Sequence, residues 1–282
     1  MTQLPPLRHA VSRTLLIPLW CCGTACPLNP DAAYDPHAAR LLADLDKDFH
    51  EDFVAIRKTF GECGQATTLA RERHIDHAVR KFAHAHPRGV VVNLGCGLGT
   101  AGYRTPLGNV LWYDLDLPEV IRLRTSLLPP MPGQHSLSGS LLDDDWQEAV
   151  PFSPERGILL LATGVFQYLP QASLLPALQR MAARFPGGRL LFDAVSGPGC
   201  RAANLYLQKA GFGNAPMRFS VNSARELERL SPRIRGRFLP YFFHLEKERL
   251  RFGTRLRLSL LQGLRLARMV RLDFAPQQSL GS

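Results

Sequence analysis

Three glycines at alternate positions, Gly95, Gly97 and Gly99, follow directly on the apolar run Val90-Val91-Val92-Asn93-Leu94. A loop almost free of side chains lets a ligand lie against bare backbone, and glycine tolerates the positive φ that such a loop needs. A second apolar run ends in carboxylates, Leu111-Trp112-Tyr113-Asp114-Leu115-Asp116. An acid at the end of a neighbouring strand accepts hydrogen bonds from both hydroxyls of a ribose. Together these features indicate a nucleotide-type cofactor. Two classes use this arrangement. Gly97-Leu98-Gly99-Thr100-Ala101-Gly102 formally fits the dinucleotide fingerprint, but Gly97 lies three residues past Leu94, further than that fingerprint places its first glycine. The run Gly95 to Gly99 stands where S-adenosylmethionine enzymes place a looser loop. Asp116 also precedes Pro118 at a helix start, where capping is its competing role.

The elements that must position these groups alternate. Strands are expected over residues 90–94, 110–115, 136–141, 158–162 and 189–195, with helices over 118–127 and 171–185 between them. Continuous apolar strands separated by helices imply a parallel sheet covered on both faces. Ahead of them the chain reads as helical after a Pro-rich entry. One helix opens at Asp35-Pro36 and carries Leu41, Leu42 and Leu45 on one face; another runs over 71–84 with Ile75, Val79 and Phe82 together. After residue 197 a short helix is expected over 223–230. Residues 254–260 alternate Arg255, Arg257 and Ser259 against Leu256, Leu258 and Leu260, which suits a strand, while Leu256, Leu260 and Leu264 are spaced by four, which suits a helix. The reading adopted is helix to about residue 261 and a last strand over 268–274.

With 282 residues, 45% of them hydrophobic, the chain builds a sizeable core. No apolar run reaches the length of a membrane span, and the N-terminus lacks the order of a signal peptide, so a cytoplasmic protein is expected. The six cysteines match no zinc spacing and read as small buried residues. Of the net charge of +10, residues 218–282 hold +9, with 14 Lys and Arg against 5 Asp and Glu. A solvated face accounts for much of this; a positive field drawing anionic acceptors or an acidic carrier protein is the sharper reading. The arginines are interleaved with leucines and form no compact run, which argues against nucleic acid.

The chain resembles the leucine carboxyl methyltransferase family, in its bacterial polyketide-type O-methyltransferase branch. The resemblance rests on the runs Val91 to Leu98 and Trp112 to Ile121. It is extended by the run Thr14 to Trp20, Asp35-Pro36, Arg71 five residues before Asp76, Ser140 with Asp143 and Trp146, and Gly164-Val165 with Tyr168-Leu169. It implies an α/β class I S-adenosylmethionine-dependent methyltransferase fold, a Rossmann-like sheet with helices on both faces. One domain over 1–282 would comprise a helical cap (1–85), a cofactor-binding core (86–196), and a lid insertion with the C-terminal strand (197–282). By the same resemblance Arg71 holds the methionine carboxylate, Gly95 and Gly97 face the methionine moiety, Asp116 binds the ribose, Ser140 and Leu141 line the adenine, and Asp143 meets its amino group. The chain departs from the family at Asn93, at Gly99-Thr100-Ala101 (for Asp-Thr-Arg) and at Thr163 (for Glu). Asn93 and Thr163 still occupy cofactor-facing positions of the pattern. Losing one buried charge-assisted hydrogen bond costs about 1.5–3 kcal/mol, so these departures bear on cofactor affinity.

A carboxylate acceptor is ionised at neutral pH and needs no base, whereas a hydroxyl benefits from one. His50, His74, His77 and His135 are the histidines to weigh, and none stands in a recognisable base motif. Tyr168 is a candidate for orienting the acceptor. Trp20, Tyr206, Phe212, Phe219, Tyr241, Phe242 and Phe243 furnish a lid suited to a bulky apolar or aromatic substrate. The expectation is O-methylation of a carboxylate or hydroxyl on a specialised metabolite or peptide. Its rivals are a degenerate binding scaffold and a dinucleotide oxidoreductase.

Overall fold

The computed structural model describes residues 10–28, 34–241 and 245–276. Phe242, Phe243 and the Pro-rich entry lie outside them. In chain order the elements are α1 (Ala10–Arg13), α2 (Leu16–Gly23), α3 (Pro36–Ala85), β1 (Val90–Leu94), α4 (Ala101–Arg104), β2 (Leu111–Asp116), α5 (Pro118–Leu127), β3 (Gln134–Ser138), α6 (Asp145–Ala149), β4 (Ile158–Ala162), α7 (Gln171–Arg184), β5 (Arg189–Val195), α8 (Gly197–Lys209), α9 (Ala224–Glu228), β6 (Ile234–Leu239), α10 (Phe252–Gly263) and β7 (Ala267–Phe274). Four of the five core strands and both core helices fall within a residue of expectation. The third strand instead begins at Gln134 and ends at Ser138, which releases Ser140 and Leu141 into the loop beyond it.

The seven strands form one sheet in the order β3-β2-β1-β4-β5-β7-β6, parallel through β5 and antiparallel at β7 and β6. Alternate residues of the central strands feed two cores. Val91, Leu159 and Leu161 pack with the N-terminal helices. Val92, Leu94, Leu160 and Ala162 pack with α7. Burial on both faces explains why these strands read as unbroken apolar runs rather than alternations. The order reverses between β1 and β4, and in open sheets of this kind the crevice for ligands opens at the carboxyl ends of the strands flanking that reversal.

The two helices expected around 36–45 and 71–84 belong to one long element. In α3 the Asp35 side chain caps the N-terminus by accepting from the amides of His37 (2.9 Å) and Ala38 (3.1 Å). Helical geometry breaks at Phe49 and Gly61, so the element bends twice as it wraps the sheet. Residues 254–260 are helix: Leu258 is buried while Leu256 and Leu260 are half exposed, a division that no strand places on one face.

Candidate active site

One cavity of about 920 Å³ opens at the carboxyl ends of β1, β2, β4 and β5, beneath α1, α2, α8 and α10. Its floor is the glycine loop. Gly95 has φ +65°, its amide donates to the Leu115 carbonyl (2.8 Å), and a Cβ there would lie 2.5 Å from Val165 Cγ2. Only glycine meets both the left-handed backbone and the close approach of the loop after β4. Gly97 donates its amide to Asp116 Oδ2 (2.7 Å), and Leu117 donates to Asp116 Oδ1 (2.7 Å). The acid at the end of β2 thereby holds the loop and faces the cavity at once. Burial raises the Asp116 carboxyl above its ordinary range, and those two amides oppose the rise.

Arg71 enters the cavity from α3. Its Nη1 lies 3.5 Å from Asp193 Oδ2 and its Nη2 3.5 Å from Glu72 Oε1, the long limit of useful contact, and its buried Nε has no hydrogen-bond partner. Burial works against the charge, but Asp193 and Glu72 outweigh it and hold the guanidinium firmly protonated. An arginine carries five donors in a fork matched to a carboxylate. A buried one with a bare Nε and two stretched contacts has donors to spare. Gly164 gives it room: a Cβ at that position would lie 3.1 Å from Arg71 Nη1.

Asp193, near the end of β5, accepts from the Gly164 amide (2.6 Å) as well as from Arg71. Asp193 and Glu72 are site residues that sequence reasoning missed. Asp193 had a legible signal, a single acid at the carboxyl end of the otherwise apolar strand Leu190-Leu191-Phe192-Asp193-Ala194-Val195. Together they place two carboxylates in the cavity.

Ser140, Leu141, Thr163 and Tyr168 also line the cavity, with Ser140 and Leu141 beside Asp116 at the β2–β3 end. Burial pushes the Tyr168 hydroxyl up to about 12 against a hydrogen bond with Thr14, so at neutral pH it is a neutral hydroxyl. Two expected residues are not brought in. Asn93 lies in register with Asp114 and donates its amide nitrogen to Asp114 Oδ1 (3.0 Å), on the strand face that also carries Trp112. Asp143 is exposed at the end of the turn in which its amide donates to the Ser140 carbonyl (3.1 Å). Among the described residues no histidine lines the cavity. His74 contacts the Pro240 carbonyl (2.7 Å), His50 faces Asp46 (3.2 Å), and His135 stacks on Tyr113.

A buried ionic cluster braces the loop from behind. Arg104 donates to Asp35 (2.6 Å), Glu72 (2.7 Å) and Asp76 (3.0 Å), and Thr100 donates its hydroxyl to Asp35. The cap of α3 is thus tied to the residue after the last loop glycine. Ala101 at the start of α4 is buried, and the guanidinium of this cluster comes from Arg104, about one helical turn later. Among the described residues no group of His, Cys, Asp or Glu suits a metal ion, and all six cysteines are free.

Comparison with known proteins agrees with this geometry. The family model for leucine carboxyl methyltransferase matches residues 23–182. The chain is 31% identical over 202 residues to the tetracenomycin polyketide synthesis O-methyltransferase TcmP of Streptomyces glaucescens, covering 71% of this chain and 72% of that protein. It is 23% identical over 250 residues to the S-adenosyl-L-methionine-dependent methyltransferase dpfgK of Gibberella zeae, covering 82% of each. Among solved structures, a Thermobifida fusca protein named as a candidate methyltransferase superposes with a TM-score of 0.59 at 14% identity, over 93% of this chain and 94% of that one.

Proposed function

The chain belongs to the leucine carboxyl methyltransferase family and is a methyltransferase dependent on S-adenosylmethionine, and from that premise we propose that it transfers the methyl group to the oxygen of a carboxylate on an apolar or aromatic small molecule. The dinucleotide reading of the glycines falls, because the matched family uses the sulfonium cofactor. The residues fit that cofactor. The unpartnered Nε of Arg71 and the glycine cradle at Gly95 accommodate a carboxylate and a close-lying chain. In this reading Arg71 holds the methionine carboxylate, Asp193 and Glu72 answer the ammonium group, Asp116 takes the ribose hydroxyls, and Ser140 and Leu141 border the adenine. When bound, S-adenosylmethionine supplies an electrophilic methyl group on a sulfonium.

What the chain's own residues do is orient and exclude water. The acceptor wall is apolar, from Leu15, Ile17, Leu207, Met217 and Leu261, and Tyr168 and Tyr241 reach it with neutral hydroxyls, both raised by burial. Neither tyrosine serves as a base at neutral pH, and among the described residues no histidine lines the cavity. An ionised carboxylate needs neither, so positioning in a dry cavity suffices. TcmP is named as an O-methyltransferase of polyketide synthesis, which accords with an acceptor of this kind, whether free or presented on an acidic carrier protein. The scaffold alternative is motivated by Asn93, Gly99, Ala101 and Thr163; against it, Asp193 and Glu72 bring two carboxylates to the cavity. Six free cysteines accord with a reducing, cytoplasmic setting.

The observation that carries the reading is the under-satisfied, buried Arg71 above the glycine loop. Calorimetric titration with S-adenosylmethionine and S-adenosylhomocysteine, with NADH as control, tests it. Micromolar binding of the sulfur ligands and at least about tenfold weaker binding by Arg71→Ala are expected. Failure of both ligands to bind the wild-type protein would overturn it. A panel of aromatic carboxylic acids and their hydroxyl analogues then reads the acceptor group directly.

A further inference from the structure

Six charged side chains line the cavity among the described residues: Arg71, Glu72, Arg104, Asp116, Asp193 and Arg257. Five are engaged within the protein. Arg71 faces Glu72 and Asp193, Arg104 pairs with Asp35, Glu72 and Asp76, and Asp116 accepts two backbone amides. Arg257 alone among them has neither an ion pair nor a hydrogen bond with a described residue.

Its place is set by α10. The Glu62 carboxylate of α3 receives the Arg251 amide (2.9 Å) and the Thr254 hydroxyl (3.0 Å), pinning the first turn of α10 to the outer end of the cavity. Leu258 is buried beneath the helix. One position back, Arg257 lies close enough to Cys63 to oppose the burial that raises that thiol. Cys63 and Arg71 stand eight residues apart on the same helical stretch of α3, about 12 Å at 1.5 Å per residue. Arg257 itself is exposed while lining the cavity, so it stands on the side where the cavity meets solvent. The lining contributed by α8, α10 and the adjoining stretch of α3 includes Phe60, Tyr206, Leu260 and Leu261, together with Thr59 and Cys63. Tyr206 of α8 and Leu260 of α10 are 47% and 53% exposed, so they form the lips of the opening. Four other arginines of the basic C-terminal region are ion-paired elsewhere, among them Arg251 with Glu62 (3.7 Å). Arg237 and Arg271 surround Asp273 on the β6–β7 edge, and Arg249 pairs with Glu246.

We propose that Arg257 is an acceptor-binding residue, an anion anchor at the mouth of the cavity, and that the acceptor is an amphiphilic acid whose apolar body lies between α8 and α10 with an acidic group other than the methylated carboxylate on Arg257. The assignment rests on the methyltransferase reading for the word acceptor, but the binding preference it predicts does not. An unpaired, exposed cation at the rim of a largely apolar cavity selects an apolar molecule bearing a negative charge over the same molecule without one.

The test uses two fluorescent probes that share an N-phenylnaphthylamine skeleton: 1-anilinonaphthalene-8-sulfonate, which carries a sulfonate, and N-phenyl-1-naphthylamine, which does not. Both are titrated into the full-length wild-type protein and into Arg257→Gln and Arg255→Gln, each with and without saturating S-adenosylhomocysteine. Arg255 lies on the same helix, is exposed, and does not line the cavity. Expected are tighter binding of the sulfonate probe by wild type, a loss of about fivefold or more in Arg257→Gln, unchanged binding of the neutral probe, and no effect in Arg255→Gln. Binding of the sulfonate probe should survive saturation with S-adenosylhomocysteine. Equal affinity of wild type for the two probes, an Arg255→Gln loss as large as that of Arg257→Gln, or displacement of the sulfonate probe by S-adenosylhomocysteine would each overturn the assignment. Absence of S-adenosylhomocysteine binding to wild type is read separately, by calorimetry, and bears on the methyltransferase reading alone. Unchanged S-adenosylhomocysteine affinity in Arg257→Gln shows that the variant is folded and that the effect lies outside the cofactor half.

Discussion

Asp116 illustrates how one side chain serves the backbone and a ligand together. Its two oxygens hold the amides of Gly97 and Leu117, and each retains lone-pair capacity toward the cavity. Burial raises its carboxyl, while Arg124 opposes the rise and Glu119 adds to it. The sign for binding follows. The ionised form accepts from ribose hydroxyls, and a raised carboxyl takes up its proton at a higher pH than an ordinary one, so affinity falls as pH is lowered. Calorimetry with S-adenosylhomocysteine from pH 8 to pH 5 should show wild-type affinity declining towards the acid end. Asp116→Asn should bind more weakly at pH 8 and show a flatter profile. A flat wild-type profile would remove the ribose role. Arg71 shows the complementary case, a charge held in place by Asp193 and Glu72 yet not saturated by them.

At the scale of elements, α10 carries the instructive ambiguity. Its sequence alternates like a strand and also spaces leucines like a helix, and the two periods assign different residues to the interior. A strand would bury Leu256, Leu258 and Leu260 together. The helix buries Leu258 and leaves Leu256 and Leu260 half exposed. Leu258→Ala is therefore expected to cost about 2–3 kcal/mol in urea unfolding, and Leu256→Ser no more than about 0.5 kcal/mol. Similar losses from both substitutions would mean that the alternating face is the buried one. The short strand β6 escaped expectation for a related reason. Ile234-Arg235-Gly236-Arg237-Phe238-Leu239 lies at the sheet edge, where one side faces water, and charged residues on an edge strand discourage pairing with other chains.

For the molecule as a whole, α2 and α3 pack on one face of the sheet, and the loops after four strands line one cavity with residues of α8 and α10. A cavity shared by the N-terminal helices, the central strands and α8 and α10 couples all three regions to one ligand. A single cooperative melting transition is expected, moved upward by about 5 °C at S-adenosylhomocysteine concentrations near 100 times Kd. Two separated transitions, only one of them responsive to ligand, would show that the cap or lid unfolds on its own. What the amino-acid sequence determined by itself was whatever depends on neighbours along the chain: the apolar strands, the glycine loop after β1, the acid ending β2 and the helical caps. Such local patterns state their own burial and turn chemistry. The tertiary structure alone decided which side chains meet. It turned Asn93 into a partner of Asp114, left Asp143 in solvent, and brought Asp193 to Arg71 from 122 residues away. It also set Arg257 at the mouth. Those outcomes rest on sheet order and helix packing, which join residues distant in sequence and have no period along the chain to reveal them.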